Sequence, residues 1–573
     1  MDADRRRGIN TNIQATYAEV SMSTDSGPAV PASPSNEAIA THAHEERRLG
    51  LLILENKTGA ALATGVPHLR AAADLWEQAG SPTRRAECLL DLGKLHTKCG
   101  NHGDAAKVLT EALRVFEGSN ENRLALDAAS QAGMAFLALK DTDQAIRHLK
   151  RALEFAEDLN DHVQIGLCLL DLANGYVAKK EAPAAIKCCE RALAIFTSFR
   201  KGPQRAQTHE CLACAYTISG DYAAAAKNYE ASVQISTELA RSFDATETLS
   251  HFAEMERKRG NFDDALKLHE RCIAIHKQSG NKALLAQSLR RVGLVHAKRG
   301  AVDDAIASYQ RSLDLCETIK DLDGISRTLF LLGAAEANAQ RDTQAFAHLE
   351  RSLQVARENE NLSHQEQALS AITSLHRQLG NNDQALVTMR QWVEVLAKMG
   401  DRADQLRALG RIAELQQEMG EYAEAEAHLT RLIEVCTHPE DQAERFRALH
   451  NLGTVVAKRG DHMTAMRHYR EALHGSYNDP AARARILHQM GYSALHLGEA
   501  KTALEYLQES LAIYDELKDE KARARLLVDV GNAQVQLGNK DEARDLFEEA
   551  AELCEDQGDM RATTIIRKAT KGL

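Results

Sequence analysis

The 573-residue chain is poor in most of what marks a membrane, secreted or catalytic protein. Aromatic residues make up only 5% of it, and its prolines number nine, three of them at Pro28, Pro31 and Pro34. No long apolar run exists. The longest aliphatic stretch is Leu51 to Leu54, far short of the roughly 20 residues a bilayer-crossing helix needs, so no membrane insertion is expected. Arg5, Arg6 and Arg7 have no apolar segment behind them, which argues against a secretory signal, and Asp2 and Asp4 count against a mitochondrial transit peptide. The terminal Lys571-Gly572-Leu573 is neither a prenylation box nor a peroxisomal address. Eleven cysteines are scattered without framework spacing, which suits a reducing compartment, so the cytoplasm is the expected location. A net charge of -12 lacks the dense basic surface that general nucleic-acid binding requires.

Catalytic signatures are equally scarce. There is no phosphate-binding glycine loop, and His44-Glu45-Glu46-Arg47-Arg48 fails the H-E-x-x-H pattern at its last position. Asp321-Leu322-Asp323-Gly324 lacks the later glutamate of a calcium loop. Cys211 and Cys214, with His209 nearby, have no second ligand pair of matching spacing. Cys211 is expected in the body of a helix and Cys214 on its inner face. His96, Cys99 and His102 straddle what reads as an ordinary turn, and Trp392 stands where other units carry a small residue, marking either altered packing or a ligand contact. The expectation is therefore no enzyme, no cofactor and no metal.

What is present is a 40-residue spacing. Gly100, Gly220, Gly260, Gly300, Gly380, Gly420 and Gly460 follow it, and after one two-residue slip come Gly498 and Gly538. Five residues beyond each register point, including the three occupied by Lys140, Lys180 and Gln340, stands an alanine: Ala105, Ala145, Ala185, Ala225, Ala265, Ala305, Ala345, Ala385, Ala425, Ala465, Ala503 and Ala543. Such self-similarity signals one supersecondary unit stacked many times, each unit burying its apolar face on its neighbours. Between Ala86 and Asn120, Leu89, Leu92, Gly93 and His96 fall on one helical face. Gly100 ends that helix, and Ala105, Leu109, Ala112, Leu113 and Phe116 form the stripe of a second. The Gly93 position is glycine or alanine in eleven units, with Thr373 the exception. Small residues there and at Ala105 should let two antiparallel helices approach closely.

The stretch LAQSLRRVGLVHAKRGAVDDAIASYQRSLDL, from Leu285 to Leu315, resembles the tetratricopeptide repeat in its L-x-x-L-G first helix, its turn and its A-then-large second helix. The 40-residue spacing is similar to that of the Pins/LGN-like adaptors, whose repeats exceed the usual 34, and the extra residues are expected to lengthen the first helix and its preceding loop. Pro82, Pro203, Pro439 and Pro480 are expected in those loops. The resemblance implies an all-α fold, a right-handed superhelical α-solenoid of antiparallel helix pairs. Residues 1–40 are expected to form a disordered tail. The solenoid would run over 41–573, with an atypical unit at 41–85 whose second helix is degraded by Gly65 and Pro67, twelve repeats at 86–558 and a capping helix at 559–573.

The resemblance also implies that first helices line an inner groove, with Glu87, Leu90, Lys94, Thr97 and Lys98 facing it in the first unit. In units five to twelve these columns hold Arg257, Lys258, Arg290, Lys298, Arg327, Arg377, Arg407, Arg447, Lys458, Arg485 and Arg525 against Glu247, Glu254, Glu414 and Glu418, with His450, His488 and His496 close by. Asn174 and Asn532 occupy the column where related repeats hold a ligand's backbone. The candidate groove residues are Asn174, Arg290, Arg327, Arg377, Arg407, Arg447, Arg485 and Asn532. Their partner would be a protein segment carrying Asp, Glu or phosphate, since arginine offers forked donors to such groups. A face that is solvated, or paired with acids of neighbouring repeats, remains the other reading. Three functional expectations follow: a non-enzymatic scaffold or adaptor, a structural component of a cytoskeletal assembly such as a ciliary axoneme or spindle-associated complex, and a regulator of an enzyme in trans, as a G-protein signalling adaptor is.

Overall fold

Residues 36–57, 59–475 and 479–572 are described by a computed structural model, and among them the regular structure is helical throughout, 27 helices by this measure, with no strand. Most of the tail expected over 1–40 lies outside the described residues, but the first helix, Asn36–Asn56, already begins inside that stretch. The all-α repeat solenoid is thus the fold. By packing the chain divides into two units, up to Met255 and from Glu256 onward.

In the first unit Asn36–Asn56 packs on Gly65–Gln78, the pair joined by a 3-10 turn at Gly59–Thr64. Gly65 and Pro67 do not break that second helix. They stand in its first turn, where backbone N–H groups lack partners in any case. Regular pairs follow: Pro82–Lys98 with His102–Gly118, Asn122–Ala138 with Thr142–Asp158, His162–Ala178 with Ala182–Ser198, and Gly202–Ser219 with Tyr222–Glu238. The second unit continues in the same way, from Lys282–Arg299 with Val302–Ile319 to Glu520–Leu537 with Lys540–Asp556, and ends in Met560–Thr570, packed on the preceding helix.

The expected lengthening of the first helix is not what fills the 40 residues. Both helices of a regular pair have 17 or 18 residues, and both connections are two or three residues long. Each connection passes through one left-handed residue: Gly100 (φ 78°) between helices of a pair, Asn120 (φ 58°) between pairs, and onward at 20-residue steps. Lys140, Lys180 and Gln340 adopt the same conformation, at φ 62°, 64° and 59°. The period is therefore twice 20. Asn120, Asn160, Arg200, Ala240, Lys320 and Glu360 hold the between-pair turns without glycine, so the half-period left little mark in the sequence. Aspartate and asparagine close the next helix start: Asp141, Asp221, Asn281, Asn361, Asp401, Asp461 and Asp519 each accept a backbone N–H three residues on. Pro82 and Pro480 sit at the first helical position and Pro203 at the second, rather than in loops, whereas Pro439 stands in the 3-10 turn that connects Tyr422–Val435 to Gln442–Lys458, as expected.

All twelve register alanines are fully buried, at 0% exposure. The Gly93 column faces the large residue sixteen positions on. A Cβ on Gly93 would stand 2.4 Å from Leu109 Cγ, on Gly293 2.4 Å from Tyr309 Cε1, on Gly453 2.6 Å from Tyr469 Cε1 and on Gly531 2.7 Å from Phe547 Cε1. Gly50 repeats the contact in the N-terminal pair, 2.5 Å from Leu69 Cγ. Where the column carries Ala173, the residue sixteen on is the smaller Cys189, fully buried. Close approach of paired helices is thus set by a small residue beneath a large one.

Candidate functional site

Most first helices touch the first helix of the next pair as well as their own partner. In the second unit this joins Lys282–Arg299 to Leu322–Asn338 and that helix to Leu362–Gln378; further on it links Arg402–Met419, Gln442–Lys458, Pro480–His496 and Glu520–Leu537 in series. Side chains roughly one repeat apart can therefore pair across the first helices, and many do. In the first unit Arg47 pairs with Glu87 and Asp91, Lys94 with Asp127 at 2.6 Å, and His251 with Glu210 at 2.6 Å. In the second, Asn451 donates to Glu414 at 3.0 Å and His488 meets Asp529 at 2.7 Å.

Against this ladder the candidate arginines separate into two sets. Arg377 reaches Glu418 of the next pair at 3.3 Å. Arg407 is held by Asp404 and Arg447 by Glu444 at 3.1 Å, each one turn back on its own helix. These three are partly neutralised by the chain itself. Arg290, Arg327 and Arg485 have no carboxylate partner among the described residues, nor has Arg525. Arg327, Arg485 and Arg525 are exposed. Arg290 is half-buried, and burial holds its guanidinium below the ordinary value. Asn174 and Asn532 are exposed on His162–Ala178 and Glu520–Leu537. They belong to different units, so the eight residues are not assembled into one described site.

The structure does bring Arg447 and Arg485 together, at a recess of about 210 Å³ lined also by Phe446, His450, Ala472, Gly475 and Asp479. It lies beside helix His462–Leu473, which has 12 residues where most second helices have 17 or 18. Burial and the Arg485 charge lower His450 to about 4, so its ring is neutral at pH 7, and its Nε2 is buried without a partner. In the sequence His450 stands only as a histidine close to the basic columns. The two-residue slip after Gly460 was the available signal, but it did not say which helix loses a turn. His496, another of the histidines near the basic columns, stacks on His462 with centroids 4.5 Å apart.

The discounted motifs have structural roles. Asp321 caps its helix by accepting the Gly324 N–H at 3.0 Å, and Asp323 accepts from the Asn359 and Asn361 side-chain amides. Trp392 donates its indole N–H to Glu366 at 3.1 Å. Cys211 is buried beside Cys189, which with desolvation pushes its thiol far up, while Cys214 is partly buried with its sulfur 3.5 Å from the Tyr229 hydroxyl. Among the described residues no group of three or more His, Cys, Asp or Glu side chains converges for a metal ion, and no helix is long and apolar enough to cross a membrane.

A family model described as tetratricopeptide repeat matches residues 89–158, 124–197, 167–238, 244–318, 404–474 and 482–556, more than half the chain. No curated protein matches the sequence. Among solved structures, a Rap protein complexed with competence and sporulation factor is 16% identical, with a TM-score of 0.35, over 65% of this chain and 100% of its own. Aspartyl phosphate phosphatase F from Bacillus subtilis is 12% identical, with a TM-score of 0.34, over 72% and 97%. MamA protein is 19% identical, with a TM-score of 0.26, over 34% and 94%. At these scores none of the three bears on what this chain binds.

Proposed function

The chain belongs to the tetratricopeptide repeat family, and from that premise we propose that it is a non-enzymatic interaction adaptor whose partner presents an acidic or phosphorylated segment to the first helices of the second unit. One observation supports this most. In a ladder where Arg47, Lys94 and Arg377 find carboxylates across neighbouring repeats, Arg290, Arg327, Arg485 and Arg525 find none among the described residues. Cations that the fold leaves uncompensated raise the local potential and favour an anionic ligand. The test is binding of labelled oligoglutamate and oligolysine peptides to the full chain at low salt. Oligoglutamate should bind, weakening as salt rises; oligolysine binding equally well, or no oligoglutamate binding, rejects the reading.

A second reading, a stable component of a cytoskeletal assembly, draws on a different observation. Leu159, Phe199 and Leu239 are the C-cap residues of three successive second helices, 40 residues apart, and remain 40%, 46% and 43% exposed. Apolar residues repeated along one edge suit a permanent partner. Extraction from cells separates the readings: an adaptor leaves the insoluble fraction in salt, whereas an assembly component stays.

A further inference from the structure

Arg290 is anomalous among the arginines of the first helices. Its Nη1 meets only Cys316 Sγ, a weak acceptor, and Thr328 Oγ1, both at 3.5 Å, for the oxygen the outer limit of a hydrogen bond. The Thr328 proton is already donated to the Gly324 carbonyl at 2.6 Å. Asp321 acts on Arg290 through its charge, but its bonded oxygen caps its own helix, and Asp323 accepts from Asn359 and Asn361; neither carboxylate bonds the guanidinium. A charge taken partly out of water without a directly bonded carboxylate is costly, and an apolar side chain of similar length would serve packing better.

The adjoining first helix adds a second unpaired guanidinium. Thr328, which Arg290 touches, follows Arg327 directly, and the Arg327 charge acts on Arg290. The third first helix contributes His364, whose Nδ1 lies 2.6 Å from Ser326 Oγ. Burial, with both guanidinia, holds this imidazole below its ordinary value against the pull of Asp323, so it faces the pair as a neutral polar group.

We infer that Arg290 and Arg327 form the anchoring subsite for an oxyanion, a carboxylate or phosphoryl group carried by the partner segment; this rests on the acidic-ligand reading above. Two forked guanidinia on neighbouring helices can each give parallel N–H donors to one such group, and its arrival supplies the direct ion pair the fold withholds. Arg377, Arg407 and Arg447, already paired, contribute general field rather than the anchor.

The experiment compares full-length wild type, Arg290→Gln/Arg327→Gln and Arg407→Gln/Arg447→Gln, using an oligoglutamate peptide and a phosphoserine peptide as probes and anisotropy as readout. The first variant should lose roughly tenfold or more in affinity, the second about twofold or less. Loss confined to one probe assigns carboxylate or phosphoryl; loss of both supports a shared subsite. Arg290→Gln alone should melt no lower than wild type, and inorganic phosphate should raise the melting temperature of wild type but not of the double variant. Full binding by Arg290→Gln/Arg327→Gln with loss in Arg407→Gln/Arg447→Gln overturns the subsite and leaves the acidic-ligand reading standing. Binding of neither probe by wild type overturns both, and a clear drop in the melting temperature of Arg290→Gln overturns the subsite in favour of a structural role.

Discussion

One chemical change, glycine to alanine, should act in opposite directions at three places. At Gly293 the new methyl would lie 2.4, 2.6 and 2.9 Å from three ring atoms of Tyr309, itself 1% exposed. No real Cβ sits so close, and an aromatic ring fully enclosed by its neighbours has little room to yield. Overpacking of this kind costs about 1–3 kcal/mol, while alanine's better helix propensity returns about 1 kcal/mol, so a net loss of roughly 0–2 kcal/mol is expected. At Gly300, φ is 86° and nothing stands within 4 Å of the added atom. Here the penalty is purely conformational, about 1–2 kcal/mol. At Gly103, in the first turn of a helix, the methyl meets nothing and φ is ordinary, so alanine should stabilise by roughly 0.5–1 kcal/mol. A long repeat array need not unfold in one step. The assay is therefore native-state hydrogen exchange, comparing opening free energies of the substituted helix pair with those of distant pairs, alongside urea unfolding followed by circular dichroism. A stabilising Gly293→Ala equal to Gly103→Ala would refute the claim that small-under-large contacts set helix spacing.

Further outcomes follow from the same structure. Lys140→Gly, Lys180→Gly and Gln340→Gly relieve left-handed strain and should each raise stability by a few tenths to about 1 kcal/mol in urea titrations. Burial raises the Asp171 carboxyl to about 6. The folded state then binds the extra proton between the unfolded value near 4 and 6, so this residue's contribution falls as pH rises through that window. Asp171→Asn should stabilise by on the order of 2 kcal/mol at pH 8, with the gain vanishing near pH 4; a pH-independent effect rejects the account. The Cys88 and Cys168 thiols are buried and pushed up by desolvation to about 12 and 11. Both should resist alkylation at pH 8 in native protein and react once urea opens the fold, as peptide mass mapping would report.

Much of the fold was legible because its causes are local. Ala105 and its eleven equivalents, Gly93 and its column, and Gly100 at the turn are each fixed by steric demands within one helix pair, and such demands leave fixed-spacing residues. The 20-residue half-period was hidden because Asn120, Arg200 and Glu360 tolerate the left-handed turn where glycine would have announced it. Pro82, Pro203 and Pro480 stand inside helix starts for a related reason: a helix's first turn leaves N–H groups unbonded, so proline belongs there as well as in the loop before it.

The candidate site was legible only in part. Residue type and column identified which arginines could line a groove, since both are written along the chain. Whether a given arginine is free depends on what stands three residues away on its own helix, as at Arg447 and Glu444, or some 40 residues away across a stack, as at Arg377 and Glu418. Spacing places such groups near one another, yet rotamer, burial and rival partners decide which bond forms. The repeat was therefore set by the sequence's own periodic sterics. The separation of paired from uncompensated charge arose only when helices distant in the chain came side by side.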